Sequence, residues 1–201
     1  MGLSVVLTVA CSQDDSGNPT AAGGLVEAAR GQTSTAAVVV EADDPSGTGP
    51  AIGTVVGRSH LTRTEDGLIG NVRTSGLTPG DVVTLWIVAF QNPDGCIGAC
   101  DNPAEDIGPG NAALALAGGR VVRPSGMVTI AGKLDVGDAT GGVVGAPGAP
   151  FFDTPIGSEV HLVIRTHGQV ILGMVDVQTG SLNGGCPPNT CVNLQAAVHQ
   201  P

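Results

Sequence analysis

Hydrophobic residues in this chain fall into short runs separated by turns rich in Gly, Pro, Asn and Asp. The most apolar run, VVTLWIVAF at 82–90, is bounded by Pro-Gly and Asn-Pro and predicts a strand buried on both faces. Residues 68–74 alternate between two sets of side chains, as the two faces of one strand do. Further strands are predicted at 36–40, 51–64, 120–123, 126–134, 158–166, 169–177 and 192–199, with a hairpin turn at 167–169.

About eight strands with regular turn signals and no convincing amphipathic helix predict an all-β fold. The expected architecture is an antiparallel Greek-key β-sandwich of immunoglobulin-like type, formed by a single domain over residues 35–201. Its long loops are expected at 91–112 and 137–157, and Phe151 and Phe152 are expected to pin the second loop to the core. The segment GLTPG at 76–80, followed by VVTL at 82–85, resembles the E–F corner of fibronectin type III and immunoglobulin-like domains.

The first residues predict export. Residues 3–10, LSVVLTVA, form a short apolar stretch that suits the core of a signal peptide. LTVAC at 7–11 resembles a bacterial lipobox, in which a small residue precedes the cysteine, and this resemblance implies that Cys11 is lipidated. We therefore expect a lipoprotein signal peptide at 1–10 and a flexible tether at 11–34. An ordinary signal peptide and a buried N-terminal strand are the alternatives.

The other four cysteines form two tight pairs within turn-rich sequence, CIGAC and CPPNTC. In an oxidising compartment such local pairs staple loops, which favours disulfides Cys96–Cys100 and Cys186–Cys191. A cross-paired framework remains open. A four-thiolate zinc site also remains open, because three and four intervening residues lie within the spacing that zinc sites use.

Composition excludes several kinds of partner. The chain has 8 Lys plus Arg against 18 Asp plus Glu, a net charge of −10, and its seven arginines are scattered along the sequence. No nucleic-acid partner is expected, because duplex binding needs clustered cations and base stacking needs aromatic side chains. One Trp, three Phe and no Tyr are too few for such platforms. The expected partners are the membrane, through the lipid anchor, and an envelope or extracellular protein or glycan.

The histidines are candidate ligands for copper or zinc, and four are present: His60, His161, His167 and His199. His161 and His167 would lie roughly 20 Å apart on a continuous strand, so a shared site would have to join histidines from separate strands. Glu159, His161 and Arg165 share one face of the predicted strand 158–166. That face is interpreted either as a solvent-facing stripe or as a polar network within a cleft, where His161 would act as a base or ligand.

Calcium is a further candidate, since the first cysteine loop carries the carboxylates Asp94, Asp101, Glu105 and Asp106. The alternative is that these residues form turns and confer solubility. Trp86 is expected in the core. No catalytic residue is assigned, because no Gly-x-Ser-x-Gly elbow or other recognisable constellation is present, and an enzymatic role is disfavoured.

The stretches TLWIVAFQNPDGC, EVHLVIRTHG and CPPNTCVNLQAAVH resemble uncharacterised exported bacterial proteins, and this resemblance implies a shared exported β domain. The expected function is that of an exported, lipid-anchored, non-catalytic module with a structural, binding or adhesion role at the cell envelope, and with no required cofactor. A copper or zinc protein that uses histidines from separate strands is the first alternative. A calcium-stabilised adhesion domain is the second.

Overall fold

The computed structural model describes residues 31–101, 103–138 and 151–201. The predicted signal peptide, Cys11 and almost all of the predicted tether lie outside the described residues. Gly31–Pro201 forms one compact unit. Its first strand begins at Gln32, within the segment that was predicted as tether.

The all-β class is confirmed. The described part of the chain forms eight strands: β1 (Gln32–Val40), β2 (Val55–Thr64), β3 (Gly67–Thr74), β4 (Asp81–Phe90), β5 (Ala112–Val121), β6 (Val128–Asp135), β7 (Glu159–Gln169) and β8 (Val192–His199). Helical structure among the described residues is limited to a 3-10 turn at Pro93–Gly95, α1 (Pro103–Asp106) and α2 (Val175–Gly180). None of these helices is long and apolar enough to cross a membrane.

All eight strands pair antiparallel in one sheet, in the order β5-β4-β7-β8-β1-β2-β3-β6. The sheet is nearly closed, because its edge strands β5 and β6 lie against each other. At their contact, a Cβ added to Gly132 would overlap the backbone oxygen and side chain of Ala117. This arrangement differs from the expected sandwich of two separate sheets, because all the strands pair in a single sheet that curls around the core.

The core fills the inside of the curled sheet and takes side chains from every strand. Leu85 and Ile87 of β4, Leu162 and Ile164 of β7, and Leu61 of β2 are all fully buried there. Alternation along each strand delivers these residues to the inner face. Of the two phenylalanines expected to pin the loop, Phe152 is fully buried in this core, whereas Phe151 is 66% exposed.

Two elements differ from the sequence-based prediction. Strand β5 covers Ala112–Val121, of which the prediction assigned Ala112 to a loop and only 120–121 to a strand. The AALALAGG segment has the low strand propensity of Ala and Gly, and pairing with β4 overrides that preference. The strand predicted at 169–177 is wrong, and so is the hairpin turn before it. β7 continues through His167 and Gly168 to Gln169, and helix α2 follows. The buried Gln178 side chain holds that helix, accepting from the amide of Ile171 and donating to the carbonyl of His167.

Candidate functional site

A groove of about 150 Å³ lies on the outer face of β4, β7 and β8, next to the first cysteine loop. Its apolar lining comes from alternate residues of neighbouring strands, including Trp86, Val88 and Val163. The first cysteine loop contributes Asp101, and Leu182 lies in the segment that leads to the second loop. We call this depression the groove.

The strand register explains why an outer face is apolar. Trp86 of β4 lies opposite Val163 of β7 and Leu116 of β5, and Val88 lies opposite Leu114 of β5. These outward side chains form their own cluster, separate from the inner core. Strand β4 is therefore buried on both faces as predicted. Trp86 is 4% exposed, but it packs under the loops on the outer face and not in the inner core.

His161 and Glu159 form a hydrogen-bonded pair in this region. His161 lines the groove, and its Nε2 lies 2.8 Å from Oε1 of Glu159. The rings of His161 and Phe90 pack edge to face, with their centroids 5.1 Å apart. The side chains of His161 and Glu159 are only 12% and 7% exposed. The face of β7 that carries them is therefore a polar network in a cleft and not a solvent-facing stripe.

Two carboxylates, those of Glu41 and Asp101, line the groove. Partial burial raises the pKa of Glu41, an effect that the charge of His161 opposes and that of Asp101 reinforces. Among the described residues that line the groove there is no Lys or Arg. Arg165 lies on the same face of β7, but its guanidinium donates to the backbone oxygen of Leu182 and to the side-chain oxygens of Asn183 and Asn193.

A chain of hydrogen bonds connects the groove to the second cysteine loop. Nε1 of Trp86 donates to Oγ1 of Thr84, which lies 2.9 Å from Nε2 of His167. Nδ1 of His167 lies 2.8 Å from the carbonyl oxygen of Gly184, so Nδ1 carries the proton and the Thr84 hydroxyl donates to Nε2. Burial lowers the pKa of His167, which favours this neutral form.

Both local cysteine pairs are bonded in the structure. Cys96–Cys100 has an S–S distance of 2.06 Å and Cys186–Cys191 one of 1.93 Å. Each bond closes a short loop, the first of which lines the groove, so its main effect is to limit the conformations of that loop. The disulfides are also typical of an oxidising, exported environment.

The four histidines occupy separate environments. His60 is exposed beside Thr35, whereas His199 is buried between the hydroxyls of Ser34 and Ser59. His161 lies in the groove and His167 beneath the second cysteine loop. In the described part of the chain, the one group of three metal-ligating side chains within reach of one another is His167, Cys186 and Cys191, whose ligand atoms lie within 4.8 Å. Of the four histidines predicted as metal ligands, this group contains only His167.

The four carboxylates considered for calcium also take different roles. Oδ1 of Asp106, which is fully buried, accepts from the amide of Ile97. Asp101 lies at the groove, Asp94 in the 3-10 turn and Glu105 in α1. Over the described ranges these residues do not form a group of three ligands close enough to share an ion.

Sequence reasoning missed Glu41 as a groove residue. It follows directly after the apolar run AAVVV, where a charged residue simply reads as the end of a strand. Its role depends on the pairing of β1 with β8, in which Val39 lies opposite Ala196, because that pairing brings the end of β1 to the groove. No local pattern carried that information.

Comparison with known proteins leaves the site to be interpreted on its own geometry. The chain matches no known protein family, no curated protein and no solved structure at a significant level. The resemblance to exported bacterial proteins therefore stays a prediction.

Proposed function

We propose that this protein is an exported, non-catalytic binding module, anchored to the membrane through lipidated Cys11, that accepts a basic side chain of a partner protein in the groove. The two disulfides support export. The observation that carries the proposal is the pairing of apolar walls with the carboxylates of Glu41 and Asp101, for which the described residues supply no Lys or Arg partner.

The shape of the groove suits one long side chain. Its volume of about 150 Å³ is below the roughly 300 Å³ at which pockets for drug-sized ligands begin. A lysine or arginine has an aliphatic stem that packs along apolar surface and a charged head that stays polar. With the stem against Trp86 and Val163, the head would meet Glu41 and Asp101. A protein is favoured over a glycan because the chain has few aromatic side chains on which a sugar could stack.

Charge coupling gives the proposal a pH dependence. Burial raises the pKa of Glu41, which means that the empty groove disfavours its charged form. A bound cation stabilises that charge and lowers the pKa again. The cation binds the charged form of Glu41, which is the form present well above the pKa of this residue. The affinity for the cation therefore falls as the pH drops through the pKa of Glu41.

The test uses the oxidised protein and two capped peptides, acetyl-Leu-Lys-Leu-amide and the same peptide with norleucine in place of lysine. Binding is measured by titration of the fluorescence of the single tryptophan, Trp86, which lines the groove. The lysine peptide is expected to bind, and Glu41→Gln is expected to weaken it roughly tenfold, as for a hydrogen bond to a charged group at the lower end of its range. Glu65→Gln removes the same charge from the exposed turn between β2 and β3 and should change nothing.

Equal affinity for the lysine and norleucine peptides would contradict the proposed cation recognition. Equal weakening by Glu41→Gln and Glu65→Gln would reduce the effect to the overall negative charge of the protein. Because Trp86→Ala removes the only tryptophan, binding to this variant is measured by calorimetry. Loss of peptide binding in that measurement, while the fold is retained, would support the groove as the place of binding.

A second candidate function is metal binding, favoured by the proximity of His167 to Cys186 and Cys191. In the disulfide the sulfurs are poor ligands, so the site would require reduction. An added dithiol reductant would supply two electrons and two protons to the Cys186–Cys191 disulfide and would itself be oxidised to a disulfide. The two cysteine thiols formed in this way lose their protons when they bind a metal as thiolates. The reduced protein would then take up one Co²⁺ with a thiolate charge-transfer band. That band should be lost in Cys186→Ser/Cys191→Ser and kept in Cys96→Ser/Cys100→Ser; loss in both variants would contradict the site.

A further inference from the structure

Arginines that are scattered along the sequence come together on one surface of the fold. Arg58 of β2 lies directly opposite Arg73 of β3, and Arg73 lies directly opposite Thr129 of β6. Arg73, Arg120 and Arg123 line one open depression of about 590 Å³. We call Arg58, Arg73, Arg120 and Arg123 the arginine surface. All four are exposed, and they belong to β2, β3, β5 and the turn between β5 and β6.

These four cations are not neutralised by the rest of the described chain. Across residues 31–101, 103–138 and 151–201, none of them forms an ion pair or a side-chain hydrogen bond, and no carboxylate lines the depression. The other described cations are already used: Lys133 pairs with Asp135, while Arg63 and Arg165 donate to neutral oxygens. Unpaired arginines are thus concentrated in one place on a chain with 18 acidic residues.

The arrangement has a cost for the free protein. Like charges directly opposite each other on neighbouring strands, as Arg58 and Arg73 are, destabilise a sheet. An anion bound at Arg73, which lines the depression, would offset part of that repulsion. Arginine also suits this role, since its planar fork donates two parallel hydrogen bonds to a phosphate, sulfate or carboxylate group.

We infer that the depression is a binding site for a small, multiply charged oxyanion of the phosphate or sulfate ester class. Arg73, Arg120 and Arg123 would hold the charged oxygens, with the hydroxyls of Ser125 and Thr129 as further donors. Val121 and Met127, which are 41% and 37% exposed in the same depression, would contact the uncharged part of the ligand. A small ligand is favoured over an extended polyanion because four cations on a chain of net charge −10 cannot offset repulsion along a polymer.

The test is calorimetric titration of the full chain with sodium pyrophosphate and with sodium sulfate at constant ionic strength. We expect the titration to show one binding site, with a heat of binding that differs between pyrophosphate and sulfate. Arg73→Gln and Arg120→Gln should each weaken pyrophosphate binding roughly tenfold, as for the loss of a hydrogen bond to a charged group. The matched control is Lys133→Gln, which removes the same charge from an exposed position on β6 outside the depression and should leave the affinity unchanged.

Thermal melting without ligand separates a binding role from a structural one. Arg73→Gln should leave the melting temperature unchanged or raise it, because it removes the repulsion with Arg58. Weaker binding together with a marked loss of stability would overturn the inference, as would equal weakening by Lys133→Gln. Binding to phosphatidylglycerol vesicles but not to pyrophosphate would also overturn it, because the surface would then recognise a membrane. Binding to both would support recognition of the phosphate group itself.

Discussion

His199 provides the sharpest test of the physical reasoning, because it is a titratable group sealed inside the fold. It is 1% exposed, with Nδ1 2.8 Å from the hydroxyl of Ser34 and Nε2 2.9 Å from that of Ser59. Burial is the largest reason that its pKa is lowered from 6.5 to about 4, and the charges of Arg63, His60 and His161 lower it further. The perturbation is His199→Gln, which keeps polar groups at this position but removes the titration.

The magnitude follows from linkage between protonation and folding. The unfolded chain takes up a proton at His199 near its ordinary value of 6.5, whereas the folded protein resists it until about 4. The stability linked to neutral His199 is therefore present above about pH 6.5 and is lost progressively as the pH falls from there to the folded pKa of about 4. Between pH 7 and pH 5 this one residue should reduce the free energy of unfolding by about 2 kcal/mol.

The assay is urea unfolding at pH 7 and pH 5 with the disulfides intact, followed by the fluorescence of Trp86. His199→Gln is expected to be less stable than the wild type at pH 7, but its loss between the two pH values should be smaller by about 2 kcal/mol. Other groups, including His167 and Glu41, contribute equally to both proteins and cancel in the comparison. Parallel losses in the wild type and His199→Gln would refute the account of a buried, neutral histidine.

Two further predictions concern the stability of the fold, one where the sheet closes and one at the buried Arg63. Gly132→Ala should destabilise the protein by about 1–3 kcal/mol, because the new methyl group would overlap Ala117 where β5 meets β6, whereas Gly180→Ala, in open space, should be neutral; chemical denaturation of both variants checks this. Arg63→Met should cost about 3 kcal/mol, because the buried guanidinium donates to the backbone oxygens of Ser158, His199 and Gln200, and these would lose a partner. A melting temperature within a degree of the wild type for Arg63→Met would contradict that role.

Much of the fold could be predicted from local patterns. Alternation and bounded apolar runs correctly indicated strands near β1, β2, β3, β4, β6, β7 and β8, because a strand's two faces and its end residues leave a signal in consecutive positions. Strand β5 left a signal only at its end, where the strand predicted at 120–123 overlaps it, since Ala and Gly carry little strand preference. The paired spacing of CIGAC and CPPNTC likewise pointed to the two disulfides that the structure contains.

The candidate sites could be predicted only in part. The alternation around His161 identified a polar face with Glu159 on it, but it did not show whether loops would cover that face. The four histidines were considered together because of their chemistry, and the fold separates them. Glu41 carried no signal, and the arginines read as scattered because their positions along the chain are far apart.

By itself, the sequence determined what is encoded between neighbouring residues: the strand class, the loops that the cysteines close and the two-sided burial of β4. Only the tertiary structure decided the strand order, the near-closure of the sheet at β5 and β6, and the convergence of distant side chains in the groove and on the arginine surface. The physical reason is that non-local strand pairing depends on which faces pack and which edges meet. That choice is made by the whole chain at once, so it leaves no periodic trace in any one segment.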